Sequence, residues 1–111
     1  AGARAAEAWL GLAERPTAVF CASDRSAFGF ISRLSEAGVR VPQDVSVVGF
    51  DDIDIAGHFV PPLTTIHQPR RAVGEQAARL LLNLLQGART EETGIQLEPW
   101  LVVRKSTAEH S

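Results

Sequence analysis

Ser23-Asp24 and Asp51-Asp52 are carboxylate-bearing segments that each follow directly on a short apolar run. The runs are residues 17–22 (TAVFCA) and 45–50 (VSVVGF), rich in the β-branched and aromatic residues that suit strands and both reading as buried. Between them, residues 24–37 carry Ala27, Phe28, Ile31 and Leu34 at the spacing of one helix face, and Gly38 supplies a left-handed stop. Strand, helix and strand in this order predict a parallel β-α-β unit, which brings both carboxylates to one rim of a sheet. Open α/β sheets bind ligands just beyond that rim. A carboxylate there can grip sugar hydroxyls, hold a metal or meet a phosphoryl group, and the rest of the chain has to choose.

The phosphoryl option needs a lysine and a Thr or Ser on neighbouring strand ends, but Lys105 is the one lysine and lies in the terminal segment. Asp51 leaves the strand first, so it faces the crevice and leads as the ligand-binding residue. Asp52 reads as a cap for a short helix starting at Ile53. Either Ser23 or Asp24 can cap the 24–37 helix, since a side-chain oxygen there accepts a free amide hydrogen of the first turn. Capping by Asp24 and contact with a ligand can coexist, and Ser23 can add one hydrogen bond. His58 and His67 have no partners at metal-ligand spacing and read as surface or boundary residues, so neither a metal site nor a cofactor is expected. Gly-x-Ser-x-Gly and a phosphate-cradling glycine loop are both absent, so a binding protein is expected, not an enzyme.

The elements that must position these residues follow from the rest of the pattern. A chain of 111 residues with 45% apolar and 22% charged residues is one domain's worth of ordinary folded protein. A net charge of −2 with scattered arginines gives no nucleic-acid footprint. The single cysteine, Cys21, excludes an intramolecular disulfide and reads as a buried, inert thiol in a reducing, cytoplasmic setting. Nothing approaches the roughly 20 apolar residues of a membrane span, and residues 1–12 lack the basic start of a signal peptide. Residues 4–12 predict a helix with Ala5, Trp9 and Leu12 inward, ended by Arg15-Pro16. The chain opens in helical pattern without a start methionine, as a piece of a longer protein would. A helical turn is expected in 53–59, and Pro61-Pro62 leads into a third strand at 63–66. The longest helix, 70–86, is closed by Gly87 and carries Val73, Ala77, Leu80, Leu81, Leu82, Leu84 and Leu85. That is more than one apolar stripe, so it needs partners on more than one side. A polar loop at 89–94 and a last strand at 97–103, edge-like because of Pro99, complete the chain.

In their order and spacing, PTAVFCASD, GVRVPQDVSVVGFDD, PPLTTIHQP and LVVRKST resemble the lactose-repressor/galactose-repressor family of bacterial transcription regulators, from about residue 4 to 107. The resemblance implies an α/β, parallel-sheet (Rossmann-like) fold, the C-terminal part of a two-lobed periplasmic-binding-protein-like sensor. On that basis residues 1–66 and 95–107 belong to the C-terminal lobe, and 67–94 form a helix of the N-terminal lobe. A small effector, sugar or nucleoside-type, would sit between lobes. Asp51 matches the family's effector-gripping aspartate and Ser23-Asp24 its usual Asn-Asp. Serine departs from that asparagine and changes the polar pattern offered to the effector. Arg70 occupies a position that is often apolar or aromatic, which fits either a more anionic effector or a solvated helix start. The family forms homodimers; Phe28 and Phe30 lie about 200° apart on their helix, so both cannot face its sheet. The resemblance assigns Phe28, with His58 and Phe59, to the dimer interface. Operator DNA would be reached only through a helix-turn-helix headpiece absent from this chain. A periplasmic sugar-binding protein serving a transporter shares the fold and is the alternative.

Overall fold

The computed structural model describes residues 1–87 and 98–109. Its elements are α1 (Gly2–Leu10), β1 (Ala18–Phe20), α2 (Asp24–Glu36), β2 (Ser46–Val48), a 3-10 turn (Asp54–Gly57), β3 (Thr65–His67), α3 (Arg70–Leu85) and β4 (Trp100–Val102). The chain divides into two compact units. One holds residues 1–67 and the described residues from Leu101 onward; the other holds α3 and the described residues between Gln68 and Trp100.

In the first unit β1 and β2 run parallel, with Ala18 opposite Ser46 and Phe20 opposite Val48. Past its ladder with β1, the β2 segment turns its other edge to β3. The Gly49 N–H donates to the Thr64 carbonyl at 2.9 Å and the Asp51 N–H to that of Ile66 at 2.8 Å, with parallel bridges Val48–Thr64 and Asp51–His67. β3 also pairs with β4. The predicted β-α-β unit is therefore present, followed by the predicted third strand. The first strand is not buried on both faces as its composition implies. Val19 packs against the core, while Phe20 is 60% exposed and meets Phe50 edge to face at 6.3 Å. An apolar run suits a parallel strand covered on two sides, and the described residues cover only the Val19–Val47 side.

That side is built from α2 and α1. Ser23 caps α2, its Oγ accepting from the Ser26 N–H at 3.1 Å, and Gly38 follows the helix at φ 79°. The buried face is Asp24, Ala27, Phe30, Ile31 and Leu34. Phe30 is buried within the core and Phe28 packs half-buried against it, because α1 packs against α2 on the Phe30 flank. Trp9 of α1 meets Phe30 edge to face at 6.5 Å, and its indole N–H donates to the Pro16 carbonyl at 3.1 Å. Where the two helices cross, a side chain on Gly2 would run into the Ser26 carbonyl. The inward face of α1 is thus Gly2, Ala6 and Trp9, while Ala5 is exposed and Leu12 lies beyond the helix, 48% exposed. Of the expected stripe Trp9 is inward and Ala5 and Leu12 are not, since glycine's value at a close crossing is invisible to an apolar count.

In the second unit α3 buries no residue, and Leu81, Leu82, Leu84 and Leu85 are 55–75% exposed. The expected loop at 89–94 and the start of the last strand at Leu97 lie outside the described residues. No helix among the described residues is long and apolar enough to cross a membrane.

Removing the Phe30 ring, which is 1% exposed, should cost about 3–5 kcal/mol of stability. Urea unfolding of the full-length protein should show a clearly smaller loss for Phe28→Ala, whose ring is half-buried.

Candidate functional site

The rim predicted from the two carboxylate segments exists, and its members divide their tasks. The Asp24 N–H donates to the Phe50 carbonyl at 3.0 Å, so the start of α2 meets the end of the β2 segment. Asp24 is the first helical residue and only 1% exposed. Its Oδ2 accepts from the Ile53 N–H at 2.8 Å and its Oδ1 from the Thr65 hydroxyl at 2.5 Å. A buried carboxylate is tolerated when its lone pairs are filled and a helix N-terminus lies beneath it. Both conditions hold here, and one side chain ties α2, the loop after β2, and β3 together. Gly49 belongs to the same arrangement, since a Cβ there would strike the Asp24 carboxylate and Leu63.

Asp51 and Asp52 follow at φ 126° and 57°, a region that residues with side chains seldom enter, Asp less seldom than most. The ladder holds Asp51 through its N–H, and the residue is half-buried at the rim. Asp52 does not cap a helix as the sequence led us to expect. The short helix there is a 3-10 turn whose cap, Ile53, makes no side-chain bond. Asp52 has stronger partners: its Oδ1 accepts from Arg104 Nη2 at 2.8 Å, and its Oδ2 lies 2.7 Å from His67 Nδ1. An ionised carboxylate only accepts, so that imidazole proton sits on Nδ1. The Asp52 side chain is 15% exposed. Burial alone would raise its pKa, but the hydrogen bonds and charge of Arg104 and His67 outweigh burial and hold it below the ordinary value of 3.8.

His67 and Arg104 are thus site members that sequence reasoning passes over. Local spacing tests His67 for metal ligation alone, and Arg104 is 52 residues from Asp52. Arg104 is itself fixed, with Nη1 donating to the Leu63 carbonyl and its N–H to the Thr64 hydroxyl, both at 2.9 Å. Close by, the buried Ser106 hydroxyl donates to the Val47 carbonyl at 2.6 Å and accepts from the Thr64 N–H at 2.8 Å. The terminal segment is in this way sewn between β2 and β3.

The remaining predicted residues are distributed as follows. Ser23 is half-buried and its hydroxyl is used on Ser26. Arg70 is exposed at the start of α3, where with Gln68, Pro69, Val73, Gly74 and Pro99 it lines a recess of about 420 Å³ in the second unit. Phe28 and Phe59 come together, their rings stacked at 4.3 Å and 28°, and His58 beside Phe59 is exposed. Cys21 is 7% exposed, and burial pushes its thiol pKa up. No three His, Cys, Asp or Glu among the described residues are placed to hold a metal.

A depressed carboxyl pKa in the folded state stabilises the fold above the unfolded value, and that stability is lost as pH falls through the folded value. Asp52 is such a group. The stability gap between wild type and Arg104→Met should therefore be widest above about pH 5 and shrink as the pH is lowered to about 3. Urea midpoints across that range measure it, and a gap independent of pH would contradict the ion pair.

Residues 1–107 match the family described as periplasmic binding protein-like domain. Over 102 residues the chain is 46% identical to the HTH-type transcriptional repressor PurR of Photobacterium profundum, covering 92% of this chain and 30% of that protein. It spans about a third of the length of the curated relatives it matches. Among solved structures, it is similar to the lac repressor dimer bound to operator and an anti-inducer, with TM-score 0.89 and 37% identity over 97% of this chain and 37% of that one. A LacI family transcriptional regulator from Enterococcus faecalis V583 with bound ribose gives TM-score 0.88 and 37% identity, over 99% of this chain and 40% of that one. The chain belongs to the periplasmic-binding-protein-like domain family, in the form seen in lactose-repressor/galactose-repressor-type regulators.

Proposed function

We propose that the chain is the effector-binding and dimerisation part of a lactose-repressor-type transcription regulator, with Asp51 as the residue that grips the effector. The observation that carries the reading is the place of Asp51. It leaves the carboxyl end of the parallel β2 segment in a left-handed conformation, half-buried at the rim of the sheet. A carboxylate in that position can accept two hydroxyl hydrogen bonds at once, which suits vicinal hydroxyls of a sugar or nucleoside-type ligand. The regulator that carries ribose supports a ligand of this class. Asp24 has both oxygens committed within the unit, so we assign it to holding the rim. Ser23 and Arg70 are kept as further proposed contacts of the effector.

The division of the chain near His67 and Leu101 supports reading the second unit as part of the N-terminal lobe. The exposed leucines of α3 are then the surface that lobe would cover. The stacked Phe28 and Phe59, with His58, are proposed as the dimer face. In the complete regulator, effector bound between lobes would favour one lobe orientation and change how the dimer presents its headpieces to operator DNA. This chain would have no operator contact of its own.

Calorimetric titration of sugars and nucleosides into the full-length protein tests the reading. Two charge-assisted hydrogen bonds at about 1.5–3 kcal/mol each make the expected loss for Asp51→Ala about a hundredfold or more. Affinity unchanged by that substitution would remove Asp51 from the site.

A further inference from the structure

We propose that Arg104 and His67 act through Asp52 as positioning residues for Asp51, holding residues 51 and 52 in the left-handed turn that presents the Asp51 carboxylate at the rim. The inference rests on reading Asp51 as the gripping residue. Consecutive non-glycine residues at φ 126° and 57° persist only where surrounding structure over-determines them. Here the sources can be named. Before the turn, the Asp51 N–H is held by the Ile66 carbonyl at 2.8 Å; after it, the Ile53 N–H is held by Asp24 at 2.8 Å. These two bonds fix the ends and leave the middle to Asp52.

Both carboxylate oxygens of Asp52 are held, one by Arg104 at 2.8 Å and one by His67 at 2.7 Å. Neither partner is loose. Arg104 is bonded to the Leu63 carbonyl and the Thr64 hydroxyl, so its guanidinium is referenced to the segment entering β3. His67 is the residue bridged to Asp51 in the ladder, so one residue opposes Asp51 through backbone and Asp52 through its side chain. The planar arginine fork reaches Asp52 with one nitrogen and Leu63 with the other, a pair of bonds that a lysine ammonium serves less well. A gripping carboxylate fixed before the ligand arrives spares the cost of ordering it on binding. The clamp would therefore set affinity without touching the effector.

Hydrogen–deuterium exchange followed by mass spectrometry tests this on the ligand-free full-length protein. In Arg104→Met and in His67→Leu, the peptide covering 49–53 should exchange at least tenfold faster, a clearly larger gain than in peptides from 27–36. Arg104→Lys should restore part of the protection. Unchanged exchange at 49–53 would overturn the clamp, and so would a gain shared equally by all peptides, which would mark general destabilisation. If one variant fails to fold, the other carries the same comparison. The exchange readout needs no effector, so its failure removes the clamp alone, whereas the Asp51→Ala titration decides the reading beneath it.

Discussion

A carboxylate taken out of water must have its lone pairs filled, and Asp24 meets that demand with the Ile53 amide and the Thr65 hydroxyl. Meeting it fixes much of the rim. The start of α2, the loop after β2 and the first residue of β3 are drawn to one point. The glycine at 49 is required so that the β2 segment can approach that point. Between the fixed ends of the loop, Asp51 and Asp52 pass through the left-handed region. Asp52 is directed to Arg104 and His67, and Asp51 stands half-buried at the rim.

Much of this was legible in the residues. Strand, helix and strand followed from two apolar runs around one amphipathic segment; a cap at Ser23 or Asp24, of which the structure uses Ser23, and the Gly38 stop followed from local chemistry. What could not be read was any preference decided by a distant neighbour. Phe28 and Phe30 differ in burial because α1 packs on the Phe30 side, and nothing within α2 says so. Asp52 looked like a cap because capping is local, while its true partners arrive from β3 and from the segment after β4. Asp24 stayed open between helix cap and ligand contact for the same reason. Its hydroxyl partner, Thr65, is 41 residues away.

The two units also separate two kinds of hydrophobic information. In the first unit, apolar residues on one side of the β1–β2 ladder are used on α2 and α1. In the second, the leucines of α3 are exposed, and an apolar surface of that kind marks a place for a partner. A pattern of apolar residues thus predicts that burial is needed but not which molecule or lobe supplies it. The proposed assignment of α3 to another lobe answers that need with the same regulator architecture that gives Asp51 its task.

The most direct test of the division of labour between Asp51 and Asp24 is carboxyl-carbon NMR of the full-length protein labelled at aspartate side chains, titrated with sugars and nucleosides. Resonances can be assigned through Asp→Asn variants at each position. When a binding ligand is added, the Asp51 carboxyl signal should move while the Asp24 signal stays in place. Movement at Asp24 with Asp51 unchanged would contradict the account and make the buried carboxylate the gripping residue.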